Sequence, residues 1–166
     1  MNRRHLLALL SIPGALGLAG CASGPEVRPA GRPRFEPPPQ PADSIRLFVY
    51  RPQTLVGMAG RPFILVNGRR MGIAGSPVSE NQNFLQPGSV FVVDAPAARA
   101  EVRWIQSGRN EPSPEAIVYA GQAGARRYLR WTLKATSGFL QEVDEAPAVQ
   151  EIVPLMYSGY LNLLAR

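Results

Sequence analysis

Phe63-Ile-Leu-Val66 followed by Asn67-Gly68 is the stretch that decides the fold. Four β-prone apolar residues run into the strongest two-residue hairpin signal, since a type I′ turn requires positive φ at both central residues and Asn-Gly tolerates it. Arg69 to Ile73 then returns antiparallel. Outward from this hairpin the same grammar repeats. Ser44-Ile-Arg-Leu-Phe-Val-Tyr-Arg51 places Ile45, Leu47 and Val49 on one side and Phe48 and Tyr50 on the other, so both faces of this strand are partly covered. Gln82 to Leu85 leads into a turn at Gln86-Pro87-Gly88, and Ser89 to Asp94 reads as a buried strand. Glu101 to Gln106 alternates, with Val102 and Trp104 inward and Arg103 outward. Ala116 to Ala120 and Arg127 to Thr136 follow; in the latter, Leu129, Trp131 and Leu133 oppose Tyr128, Arg130 and Thr132. Phe139 to Val143 closes a last hairpin through Ser137-Gly138.

Seven or eight short strands separated by Gly, Pro and Asn turns predict a mainly β chain folded as an antiparallel β-sandwich. The tight spacing leaves no room for βαβ crossovers, and no long-period repeat is present. The end differs. Asp144-Glu145-Ala146-Pro147 supplies capping chemistry, with Pro147 read at the first helical position, for a short helix through about Val153. Pro154 breaks it, and Leu155 to Arg166 reads as a second helical piece against the sandwich.

Composition removes several classes. The 166 residues suit one domain, with 45% hydrophobic residues and 18 Lys or Arg against 12 Asp or Glu. Gly and Pro are too abundant for a helical bundle and too aperiodic for collagen. Cys21 is the only cysteine and His5 the only histidine, which excludes an intrachain disulfide framework and a Cys/His zinc site.

Arg3 and Arg4 form a basic start, and Leu6 to Ala19 is apolar but too short and too broken by Gly and Pro for a transmembrane helix. This is the pattern of a secretory signal peptide. Its end, Leu18-Ala19-Gly20-Cys21, resembles the lipobox of bacterial lipoproteins. The resemblance implies cleavage between Gly20 and Cys21, a diacylglycerol on the Cys21 thiol, and attachment to a membrane through that lipid without a spanning segment. Ala22, not Asp, follows the modified Cys, which by the same resemblance favours the periplasmic face of the outer membrane over the inner membrane. Arg3-Arg4 before Leu6 and Leu7 also loosely resembles a twin-arginine export signal; a plain basic n-region is the favoured reading.

Cleavage would leave 16 basic residues against 12 acidic ones, about +4. The charge is not clustered in the sequence, so nucleic acid is not an expected partner. Residues 21–43 carry the lipidated Cys and then seven prolines with balanced charge, a solvated tether. At ~3.1 Å per residue it would reach on the order of 65 Å.

Tyr50-Arg51-Pro52, Phe63-Ile-Leu-Val-Asn-Gly68, Met71-Gly72, Leu85-Gln-Pro-Gly88 and Arg127-Tyr-Leu-Arg-Trp131, in that order, resemble the DUF2846 family of bacterial lipoprotein domains, similar in layout to PEGA-like β-sandwich modules. The resemblance covers about residues 44–155 and implies a fold and an address, with no activity to carry over. Residues 107–115 look like a local loop insertion, and the tail 156–166 lies outside the match.

After cleavage the chain lacks His and any free Cys, so Ser-His-Asp and Cys-His catalysis are excluded. The carboxylates show no metal-ligand spacing. Gly57-Met-Ala-Gly60 and Gly121-Gln-Ala-Gly124 are turn glycines and not phosphate cradles, so no cofactor is expected. One enzymatic route survives, a carboxylate pair acting on an envelope polysaccharide, with Glu142, Asp144, Glu145 and Glu151 as the only acid cluster. A solvated hairpin end and helix N-terminus explain the same cluster. The leading expectation is a non-catalytic module that binds an envelope protein or glycan, or acts as a spacer. Arg46, Arg103, Tyr128 and Arg130 point away from the core in the strand pattern and are the candidate binding face.

Overall fold

The computed structural model describes residues 37–54, 60–71, 84–106, 108–134 and 137–164. The leader with Gly20-Cys21, the tether as far as residue 36, and the expected features at Gly57, Gly72 and Gln82 lie outside these residues. Phe35–Arg166 forms one compact unit. Its described residues form nine strands and one helix: β1 (Ser44–Arg51), β2 (Phe63–Val66), β3 (Arg69–Arg70), β4 (Ser89–Pro96), β5 (Ala100–Ile105), β6 (Ile117–Tyr119), β7 (Arg126–Lys134), β8 (Ser137–Val143), α1 (Glu145–Ile152) and β9 (Met156–Asn162).

A five-stranded sheet runs in the order β8-β7-β1-β4-β9, and a four-stranded sheet in the order β3-β2-β5-β6. Ile45, Leu47, Val49, Phe91, Val93, Leu129 and Trp131 from the first meet Ile64, Val66, Val102 and Trp104 from the second in one buried cluster. The alternation read in β1 is what sorts these residues, because successive side chains leave a strand on opposite sides. Burying each of the larger ones contributes about 2 kcal/mol relative to exposure. A second cluster, built on Tyr50, Val90, Tyr128 and Ala148, lies on the other side of the five-stranded sheet beneath α1. With both clusters inside it, the unit has its own core and qualifies as an independently folding domain.

The Asn67-Gly68 turn forms as read, with φ of 49° and 73°. Asn67 also ties the hairpin to β5, its Nδ2 donating to the Arg99 carbonyl at 3.1 Å and its Oδ1 accepting from Glu101 N at 2.8 Å. Gly88 likewise takes positive φ, and its N–H donates to the Arg51 carbonyl, closing the Gln86-Pro87-Gly88 turn against β1.

Several expectations are corrected. The sheets are not wholly antiparallel, since β1 pairs with β7, and β4 with β9, in parallel. Strands β8 and β9 run the same way at opposite edges of the five-stranded sheet, and α1 joins them, so a β-α-β crossover is present after all. Pro147 is the third helical residue, where its missing N–H is still unneeded, and Asp144 receives Ala148 N–H on its backbone carbonyl while its side chain makes no cap bond.

Residues 156–162 are strand β9 and not a second helix. The register shifts between Val90 and Phe91, leaving Ser158 as an extra residue. Tyr157 and Tyr160 therefore reach the same side of the sheet although they are three apart, a spacing that in sequence imitates a helix.

Ser137 and Gly138 pair with Lys134 and Leu133 inside the hairpin and do not form its turn. Gly138 is required for another reason: a Cβ there would overlap the Trp131 ring. Its carbonyl accepts the Trp104 indole N–H at 3.1 Å, and the two tryptophans meet edge to face at 6.1 Å. Finally, the end of the segment read as tether is fastened to the domain. Gln40 Nε2 donates to the Ser44 and Ala125 carbonyls, and Ala97 N–H to the Asp43 carbonyl.

Candidate functional site

The four residues of the expected binding face do not share a face. Arg46, Tyr128 and Arg130 lie on the outer side of the five-stranded sheet, whereas Arg103 lies on the outer side of the other. The first three are also not free. Arg46 is buried on β1 directly opposite Asp94 of β4. Its Nε and Nη2 donate to the two Asp94 oxygens at 2.7 Å each, and the Tyr160 hydroxyl on β9 donates to Oδ2 at 2.7 Å. The bidentate bond to Asp94 holds the guanidinium charged against the desolvation of its surroundings. Burial, reinforced by the bond to Asp94, pushes the Tyr160 phenol up to about 12. Sequence reading missed Asp94. The available signal was a lone carboxylate in phase with Val90 and Val92, facing the lone arginine in phase with Phe48 and Tyr50.

Tyr128 stacks on Phe48, ring centroids 4.9 Å apart, beneath α1. Its hydroxyl donates to Glu145 at 2.8 Å, and burial followed by that bond raises its pKa to about 12. Tyr50 donates to Glu151 Oε2 at 2.8 Å, and Arg130 Nη1 donates to Oε1 at 2.9 Å. Burial is the first cause of a strong rise in the Tyr50 pKa, with Glu151 second. Glu142 accepts from Arg127 at 3.3 Å. Three of the four acids of the expected cluster are thus tied to tyrosines or arginines of β1 and β7. A depression of ≈ 470 Å³ lies beside this network, lined by Arg51, Thr54, Arg130, Thr132 and Glu151.

The four-stranded sheet is different outside. Leu65 of β2 lies between Arg70 of β3 and Arg103 of β5, while Glu101 of β5 lies opposite Val118 of β6. Val118 is 48% exposed. Arg70 stacks over the Phe63 ring at 5.0 Å and Arg61 over the Phe84 ring at 5.3 Å. Arg103 and Arg99 bind the Glu101 carboxylate at 2.6 and 2.8 Å and hold its carboxyl below the usual range.

At the end of β5, the stretch read as an insertion wraps a groove of ≈ 890 Å³ lined by Trp104, Arg109, Glu111, Pro112, Pro114 and Phe139. Ser113 N–H donates to the Trp104 carbonyl at 2.7 Å, and Arg103 Nη1 to the Ser113 carbonyl at 3.1 Å, so the wall is pinned to the strand it leaves.

Together these features define a two-sheet, mixed β-sandwich with one outer face roofed by a helix and one without a roof among the described residues. No family model matches the chain, and no curated protein or solved structure matches it either. Among the described residues no helix is long and apolar enough to cross a membrane.

Proposed function

We propose that this chain is a lipid-anchored protein of the bacterial cell envelope, held by an acylated Cys21 on the periplasmic face of the outer membrane, whose sandwich is a non-catalytic module binding an envelope protein or glycan. The lipobox at Leu18-Ala19-Gly20-Cys21 supports the address, and the DUF2846-like order of motifs is in keeping with it. The observation that carries the binding role is where the acids go. Both oxygens of Glu151, one of Glu145 and one of Glu142 accept bonds from tyrosines or arginines of the same sheet. A carboxyl pair working on a glycosidic bond needs one member free to protonate the leaving oxygen and the other free to meet the sugar or its water. The groove at Trp104, Phe139 and the two prolines offers the partner a half-apolar wall that also carries Arg109, Glu111 and Glu115.

Two measurements test this. Intact mass and membrane fractionation of the native protein beside Cys21→Ala should show a processed, acylated wild type and a non-acylated variant; unchanged mass and location would sink the address. A photo-crosslinker at Phe139 in the intact envelope should capture one partner. Release of reducing ends from purified envelope polysaccharide, abolished by Glu151→Gln, would instead establish the hydrolase.

A further inference from the structure

We infer that the outer face of the four-stranded sheet is a docking surface for an anionic phospholipid bilayer. Arg61, Arg69, Arg70 and Arg99 are exposed there or at its edge, with Arg103 half-buried among them. Glu101 is the one carboxylate in β2, β3 and β5. It is already taken by Arg99 and Arg103, and among the described residues no carboxylate pairs with Arg61, Arg69 or Arg70. The face therefore carries a clear positive excess, while Arg46, Arg127 and Arg130 of the five-stranded sheet are matched by Asp94, Glu142 and Glu151.

The form of the surface selects the partner. A discrete anion calls for a concave site, and the two depressions described above lie elsewhere, beside α1 and at the end of β5. Among the described residues this face is instead an open sheet in which Phe63, Leu65 and the exposed Val118 are interspersed with arginines. Two of the guanidiniums rest on phenylalanine rings at 5.0 and 5.3 Å, which fixes them over apolar surface with donors to spare. An array of arginines interleaved with apolar side chains matches a plane of phosphate head groups over acyl chains. The inference goes beyond the proposed function and does not require the lipid on Cys21; a tethered domain would simply meet the same bilayer at high effective concentration.

The experiment uses residues 35–166, the independently folding unit, and cosedimentation with two kinds of vesicle: phosphatidylcholine alone, and equimolar phosphatidylcholine and phosphatidylglycerol. The domain should partition into the anionic vesicles only, and ~0.5 M salt should release it as screening shortens. Arg61→Gln with Arg70→Gln should lower the partition coefficient roughly tenfold to thirtyfold. Arg126→Gln with Arg127→Gln, the same loss of charge on β7, should change it less than about twofold. Circular dichroism and melting of each variant report that the sandwich is intact. Equal partition into both vesicles, equal loss in both double variants, or no partition at all overturns the proposal. Binding to polyglutamate without partition into vesicles would also overturn it, assigning the face to an acidic protein.

Discussion

The outer faces of the two sheets are made from the same residue types and put to opposite uses. On the five-stranded sheet, Arg46, Tyr128 and Arg130 are drawn under or beside α1 and β9, and each finds a carboxylate. On the four-stranded sheet, Arg61 and Arg70 stack on phenylalanines in the open, with no acid beside them among the described residues. The difference comes from connectivity. The β8-to-β9 crossover lays a helix bearing Glu145 and Glu151 across the first face, whereas among the described residues no helix lies on the second. A guanidinium in a strand is therefore a fastening or a handle according to what the chain later lays over it.

The comparison breaks most sharply at Asp94. Asp94→Ala leaves Arg46 buried without its counter-charge and should cost about 3 kcal/mol or more, read as a fall in the urea midpoint. Arg46→Met with Asp94→Leu should recover most of that loss, because removing both charges leaves no unpaired ion. Gly138→Ala comes next, at about 2–3 kcal/mol, since the Trp131 ring has to leave its place; near-ultraviolet circular dichroism of the tryptophans should change with it.

Smaller again is Tyr128→Phe, about 1 kcal/mol for the bond to Glu145, measured by thermal melting. It also carries a pH signature. The folded Tyr128 and Tyr160 phenols sit at about 12, above the value near 10 of an unfolded tyrosine. Stability is complete below pH ~10 and falls as pH rises through ~12, because the unfolded chain releases protons that the folded one keeps. Tyr128→Phe should make that alkaline decline shallower. At the bottom of the scale, Arg99→Gln on the open face should shift the melting free energy by less than about 0.5 kcal/mol, since exposed ion pairs contribute little.

Much of the fold is legible in the sequence where pairing is local. Asn67-Gly68, Gln86-Pro87-Gly88 and the alternation in Ser44–Arg51 give their strands and the inward residues Ile45, Leu47 and Val49 directly. Strand β9 is not legible. Its partner β4 lies far upstream and parallel, so no turn announces it, and the bulge at Ser158 gives Tyr157 and Tyr160 a helical spacing. The candidate face fails for a related reason. Strand phase correctly sends Arg46, Tyr128 and Arg130 away from the inter-sheet core, but phase says nothing about a second layer.

The sequence by itself determined the turns, the alternation and hence which side of each strand meets the core, because φ preferences and a two-residue period are properties of neighbours along the chain. Only the tertiary structure decided which strands became parallel, that Asp94 would neutralise Arg46, and that one outer face would be roofed by α1. Those outcomes depend on contacts between residues tens of positions apart, where register and burial, rather than local geometry, set the free energy.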